Sequence, residues 1–213
     1  MELIYLNVFC RHATDDQIPP QFPESTVPQP DHIVKIALPE RHALDEDIQK
    51  YLDICVEKLG FEPYVLLAYT ARQEKFRTFT KFYNQLMLDV ETCTLTKLER
   101  EMIAVVVSSA NRCFYCLVAH GNAVRQLSGD PQLGEMMALN YRIADLPERQ
   151  RAMLDYAWKL TKTPHDIGDD DRQALRAVGF SDAELFDITD VCAFFNYTNR
   201  VAHGLDMMPN PEY

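Results

Sequence analysis

From residue 43 to about residue 205, apolar side chains recur at intervals of three and four, and little of the chain alternates with a period of two. That pattern folds as packed amphipathic helices and leaves no material for a sheet, so the expected class is all-α. Ile48, Leu52, Cys55, Val56 and Leu59 form the first stripe, and Gly60 is suited to the left-handed position that stops a helix. A second helix is expected over residues 64–90, with Phe76, Phe79, Phe82, Tyr83, Leu86, Met87 and Val90 on one core-facing stripe. Thr96 and Glu99 have capping-box spacing and open a helix carrying Leu98, Met102, Ile103, Val105 and Val106 to about Asn111. The next begins at Arg112 or Cys113 and runs to Leu127, closed by Ser128 and Gly129. Further helices are expected at 131–140, 147–161, 169–178 and 182–205, with Asp169, Asp170 and Asp171 read as a helix-start cluster rather than a cation site.

Ahead of this pattern, residues 19–39 hold six of the twelve prolines and can form neither helix nor central strand. Residues 1–42 are therefore read as an arm, with a short extended piece at 3–8 and with Phe22, Val27 and Ile33 as candidate anchors on the body or on a neighbouring subunit. Residues 43–213 are read as a single helical domain.

Lys and Arg number 21 against 32 Asp and Glu, and the net charge of −11 repels phosphate backbones and anionic membranes alike. No apolar run is long enough to span a bilayer, and no basic stretch followed by an apolar run opens the chain. The expected location is cytoplasmic, a reducing compartment where a pair of nearby cysteines is redox-active or metal-binding rather than a fixed disulfide.

Two of the six cysteines form such a pair, in the run Cys113-Phe114-Tyr115-Cys116-Leu117-Val118-Ala119-His120. On one helix, Cys113 and Cys116 are three apart and Cys116 and His120 four apart, so all three project from nearly one face. A thiol must ionise to attack, and the first turn of a helix favours the thiolate. His120, one turn on, can take the proton from Cys116. Glu101 shares a stripe with Ala104, Val105 and Ser108 on the preceding helix, where burial would let it orient the histidine or relay its proton. Zinc competes for two thiolates and an imidazole, but Cys10, Cys55, Cys93 and Cys192 supply no second CxxC and read as small hydrophobes. Near the C-terminus, Asn196, Arg200 and His203 share one side of a helix and are candidates for the pocket or for a subunit contact.

A glutamate, eleven residues, then CxxCxxxH is the signature that this chain shares with the AhpD-like, or carboxymuconolactone decarboxylase-like, superfamily, and Glu101, Cys113, Cys116 and His120 fill every position. The stretch from Leu44 to about Gly129 is similar to the family's helical core, and the later helices, with Asp155-Tyr156-Ala157 and Asn199-Arg200-Val201-Ala202, resemble the longer peroxidase-related branch. The resemblance implies an all-α fold assembling as trimers or hexamers, with the cysteine pair near subunit contacts. It also implies roles: Cys116 as the peroxide-attacking thiol, Cys113 as the resolving thiol, His120 as base and Glu101 as its relay partner. Where the best-known alkylhydroperoxidase D proteins carry another histidine, this chain has Tyr115, a hydrogen-bond donor but a poor base.

The leading expectation is a thiol peroxidase acting on a small organic hydroperoxide or hydrogen peroxide, without metal or other cofactor and recharged by an external dithiol. The alternatives are a disulfide oxidoreductase that does not use peroxide, a lactone decarboxylase, a zinc-stabilised interaction protein and a non-catalytic helical module.

Overall fold

The computed structural model describes residues 29–91 and 93–213. The extended piece at 3–8, the anchors Phe22 and Val27, and Cys10 lie outside the described residues. Among the described residues the regular structure is helical throughout: α1 (Glu46–Leu59), α2 (Tyr64–Thr70), α3 (Gln73–Tyr83), α4 (Lys97–Asn111), α5 (Phe114–Ser128), α6 (Pro131–Asn140), α7 (Glu148–Lys162), α8 (Asp169–Ala177) and α9 (Asp182–Gly204). None of these helices is long and apolar enough to cross a membrane.

The centre of the bundle is α4, packed on α5, α6, α7 and α9. Met102 to Val107 are wholly buried, and the helix is covered on all sides, which an amphipathic surface helix is not. The Thr96–Glu99 capping box forms: Thr96 Oγ1 accepts from the Glu99 N–H, and Glu99 accepts from the Thr96 N–H at 2.9 Å. A second capping box, Ser181 with Glu184, opens α9. One side chain of α7 ties the two together, since Arg149 donates to Glu99 at 2.5 Å and also to Glu184, with its guanidinium 3.8 Å from the centre of the Phe180 ring. Where α6 crosses α5, Gly134 lets the backbones approach; a Cβ there would sit 2.8 Å from the Gly121 carbonyl oxygen.

The single helix expected over 64–90 is instead three pieces. Chain direction changes at Ala71 and Arg72, whose φ of −141° and ψ of 85° leave the helical region. Residues 69 and 79 of a continuous helix would stand about 15 Å apart along its axis. Here the Tyr69 and Phe79 rings stack with centroids 4.1 Å apart, so α3 folds back against α2. Beyond Tyr83 the chain widens into a π-turn, Asn84–Leu88. The expected stripe divides accordingly: Phe76, Phe79, Leu86 and Met87 are buried, whereas Phe82 and Val90 are 41% and 58% exposed. The Asp169–Asp171 run does open α8, with Asp171 accepting from the Gly168 N–H at 2.8 Å and from Lys159 at 2.7 Å.

The described end of the arm lies across the body. Lys35 N–H donates to Leu205 O at 2.8 Å, Met208 N–H donates to Ile33 O at 3.1 Å, and Val34 is buried against Cys113, Ala68, Ala202 and Met207. Ile33 packs partly buried beside them.

Candidate active site

A tight corner between α4 and α5 creates the site. Arg112 takes the left-handed conformation, with φ of 56°, and Cys113 N–H bonds back to Ser108 O at 2.9 Å. This ends α4 and makes Cys113 the N-cap residue of α5, so the helix begins at Phe114, one or two residues later than the sequence pattern suggests. Cys113 thereby faces the unpaired N–H groups of the first turn. Its thiol is lowered to about 6, first by a hydrogen bond from the Cys116 thiol, then by the Cys116 backbone N–H and by nearby His203 and His120, against the opposing effect of burial. Cys116 moves the other way: the hydrogen bond it gives to Cys113, then burial and its neighbour's charge, hold it protonated well above the ordinary thiol range. The pair thus shares one proton, with the negative charge resting on Cys113. Cys113 is 1% exposed and Cys116 4%.

From α4, Glu101 reaches across to His120, one turn beyond Cys116. Nδ1 of His120 is 2.7 Å from Oε2 of Glu101, and both side chains are largely buried. A carboxylate there keeps a proton on Nδ1 and leaves Nε2 for exchange with a bound molecule. The Phe195 ring meets the imidazole edge-on at 4.6 Å, which fixes the plane of His120.

Two further residues approach Cys116. Ser108 and Asn199 give hydrogen bonds that favour its thiolate form, and Asn199 Nδ2 also donates to Ser108 Oγ at 3.0 Å. Asn199, fully buried, accepts from Asn111 Nδ2 at 2.9 Å, and Asn111 donates to Asn196 Oδ1 at 3.1 Å. Arg200 completes this chain by donating to Asn196 Oδ1 at 3.0 Å, and His203 Nε2 lies 3.1 Å from Asn111 O.

Asn196, Arg200 and His203 therefore stand behind the site and do not line its cavity. The inward side of α9 is offset from the stripe they share and carries Phe195, Thr198 and Ala202 toward the cavity, with Asn199 directed at Ser108. Ser108 lies on the Glu101 stripe and Asn199 in the run shared with the peroxidase-related branch, but neither pattern points to Cys116; the crossing of α4 and α9 brings them to it. Tyr115 also turns away from proton transfer. Its hydroxyl accepts from Val65 N–H at 3.1 Å and its ring packs edge-on against Tyr213, so it fastens α2 and the C-terminal segment.

Cys116, His120 and Glu101 open onto one cavity of about 140 Å³. Its remaining walls are mostly apolar and aromatic, from α1 (Tyr51, Cys55), α2 (Leu66, Tyr69), α3 (Phe79, Tyr83), α9 (Phe194, Phe195) and the C-terminal Tyr213. Cys113 lies outside this lining, under Val34. The other described cysteines are buried, and burial raises the thiols of Cys55 and Cys192 to about 11 and that of Cys93 above its ordinary value. Among the described residues no group of three His, Cys, Asp or Glu side chains converges so as to hold a metal ion.

Residues 73–153, which carry all four signature residues, match the carboxymuconolactone decarboxylase family. No curated protein matches the chain. An uncharacterized peroxidase-related protein from Silicibacter sp. TM1040 is 56% identical, with a TM-score of 0.83 over 87% of this chain and 96% of that one. The alkylhydroperoxidase AhpD core of an uncharacterized peroxidase-related protein from Ralstonia eutropha JMP134 is 42% identical, with a TM-score of 0.81 over 85% and 94%. The debrominase Bmp8, in complex with 2,3,4-tribromopyrrole, shares the fold at 15% identity, with a TM-score of 0.69 over 84% and 92%. Identity above one half across nearly the whole of a related chain decides the matter: this protein belongs to the carboxymuconolactone decarboxylase family, in its AhpD-like, peroxidase-related branch.

Proposed function

We propose that the protein is a thiol peroxidase that reduces small organic hydroperoxides through the Cys113–Cys116 pair and is recharged by an external dithiol. The observation that carries this reading is the opening of the Cys116 thiol and the His120–Glu101 pair onto one apolar cavity. Its volume, about 140 Å³, matches the roughly 150 Å³ apolar cavities that accept benzene. A hydroperoxide with an apolar body of that size suits it better than hydrogen peroxide.

The reaction begins with the charge on Cys113. As a hydroperoxide enters, the Cys116 proton passes to Cys113, and the Cys116 sulfur, held by the Ser108 and Asn199 hydrogen bonds, attacks the terminal peroxide oxygen. An S–O bond forms, the O–O bond breaks, and its electron pair leaves on the alkoxide. His120, starting with both ring nitrogens protonated beside Glu101, gives that alkoxide its Nε2 proton, is left neutral, and regains the proton when the external thiols release theirs. Cys113 then attacks the Cys116 sulfenic acid, forming the disulfide and releasing water. Two external thiols return the pair to the dithiol form and leave as a disulfide.

Stopped-flow consumption of cumene hydroperoxide with a supplied dithiol tests this. Cys116→Ser should abolish turnover, and Cys113→Ser should stop after a single equivalent with a sulfenic acid trapped on Cys116. A single equivalent from Cys116→Ser instead would reverse the two roles, and unchanged rates in both variants would end the peroxidase reading. Phe114, Leu139 and Ile143 are large apolar side chains left on the surface, which suits burial between copies of this chain in a trimer or hexamer. Light scattering on the purified protein gives that number directly.

A further inference from the structure

The cavity contains a phenol that the mechanism above does not use. Tyr83 closes α3, and the π-turn that follows it departs from helical spacing, a departure that recurs at functional sites. The turn is firmly held. The buried Arg100 guanidinium donates to Leu86 O at 3.1 Å and to Asp89 O at 2.7 Å, and Tyr51 Oη donates to Asn84 Oδ1 at 3.2 Å. The Tyr83 ring sits among aromatics, 6.1 Å from Phe79 and 6.2 Å from Phe194.

Other tyrosine hydroxyls around the cavity have partners: Tyr51 bonds Asn84, Tyr69 meets Tyr197 at 3.3 Å, and Tyr115 takes the Val65 N–H. Among the described residues the Tyr83 hydroxyl has no hydrogen-bond partner. A hydroxyl that lines a mostly apolar cavity without an internal partner is a donor that a ligand oxygen can engage. Burial holds this phenol well above its ordinary value, reinforced by Glu101, Tyr213, Tyr51 and Cys116 around it, so it stays a donor across the working pH range.

We propose that Tyr83 donates a hydrogen bond to the leaving oxygen of the bound hydroperoxide. This rests on the peroxidase reading. As the Cys116 sulfur takes the terminal oxygen and the O–O electron pair moves onto the inner oxygen, charge grows on that oxygen. The Tyr83 hydroxyl stabilises it without giving up its proton, and His120 supplies the proton that completes the alcohol.

Tyr83→Phe removes only the donor. Its kcat/KM for cumene hydroperoxide should fall about 10²-fold, the usual effect of losing one such donor. Peracetic acid, whose carboxylate leaving group needs little help, should lose far less, and the melting temperature should not drop, because no internal bond is broken. Equal losses with both substrates, or a lower melting temperature accompanying the loss, would assign Tyr83 to packing and overturn the proposal. Calorimetric binding of the product, cumyl alcohol, provides a readout without turnover and should weaken about tenfold. Unchanged alcohol affinity overturns the role of Tyr83. If wild type consumes no hydroperoxide while Tyr83→Phe still weakens alcohol binding, the peroxidase reading fails and the donor stands.

Discussion

Replacing Cys116 by alanine tests the electrostatics of the pair directly. Cys113 titrates near 6 rather than 9, and the foremost cause is the hydrogen bond from the Cys116 thiol. A hydrogen bond to a charged group contributes about 1.5–3 kcal/mol, and about 1.4 kcal/mol corresponds to one pKa unit. Removing it should raise the Cys113 midpoint by about one to two units, to roughly pH 7–8. The backbone N–H of Cys116 and the helix N-terminus remain, so the midpoint should stay below that of an ordinary thiol. The assay is the ultraviolet absorbance of thiolate followed against pH in the reduced protein. The background is favourable, because Cys55 and Cys192 titrate near 11 and Cys93 above its ordinary value. Wild type should show one acid step, absent from Cys113→Ser. Because the reactive form is the deprotonated one, peroxide consumption should rise with pH through that same step and level off above it. A wild-type protein with no step below about pH 8, or one whose acid step survives Cys113→Ser, would refute the reasoning.

Glu101→Gln keeps the shape but removes the charge that holds the His120 proton; about 1.5–3 kcal/mol of charge-assisted bonding corresponds to a 10- to 100-fold fall in kcat/KM, with the Cys113 step left in place. Unaltered turnover would remove Glu101 from the mechanism. Arg149→Met strands the buried Glu99 and unties the starts of α4 and α9, and should lower stability by about 2 kcal/mol in urea unfolding, with the catalytic pair untouched. Gly134→Ala pushes a methyl group against the Gly121 carbonyl and should cost about 1–3 kcal/mol in the same assay. An alanine there that leaves stability unchanged would mean that α5 and α6 separate easily.

Much of the helical framework is legible residue by residue, because its signals are local. Gly60 stops α1 with a φ of 86°, Thr96 and Glu99 cap α4, and α6 occupies the residues that Pro131 and its neighbours indicate. The gathering of Cys113, Cys116 and His120 is local too, since one helix start and one further turn place them. The break at Ala71 was not legible: the apolar spacing continues through it, and the reversal rests on tertiary contacts such as the stacking of Phe79 on Tyr69.

What the sequence alone determined, then, is an all-helical chain carrying a dithiol and a histidine on one helix face, because capping and periodicity act over four or five residues. The tertiary structure decided the rest. It set which cysteine carries the charge, brought Ser108 and Asn199 to Cys116, turned Tyr115 toward α2, and placed Tyr83 on the cavity wall beside them. Those properties depend on burial and on contacts between residues up to about ninety positions apart, such as Asn199 with Ser108, and no local pattern encodes them.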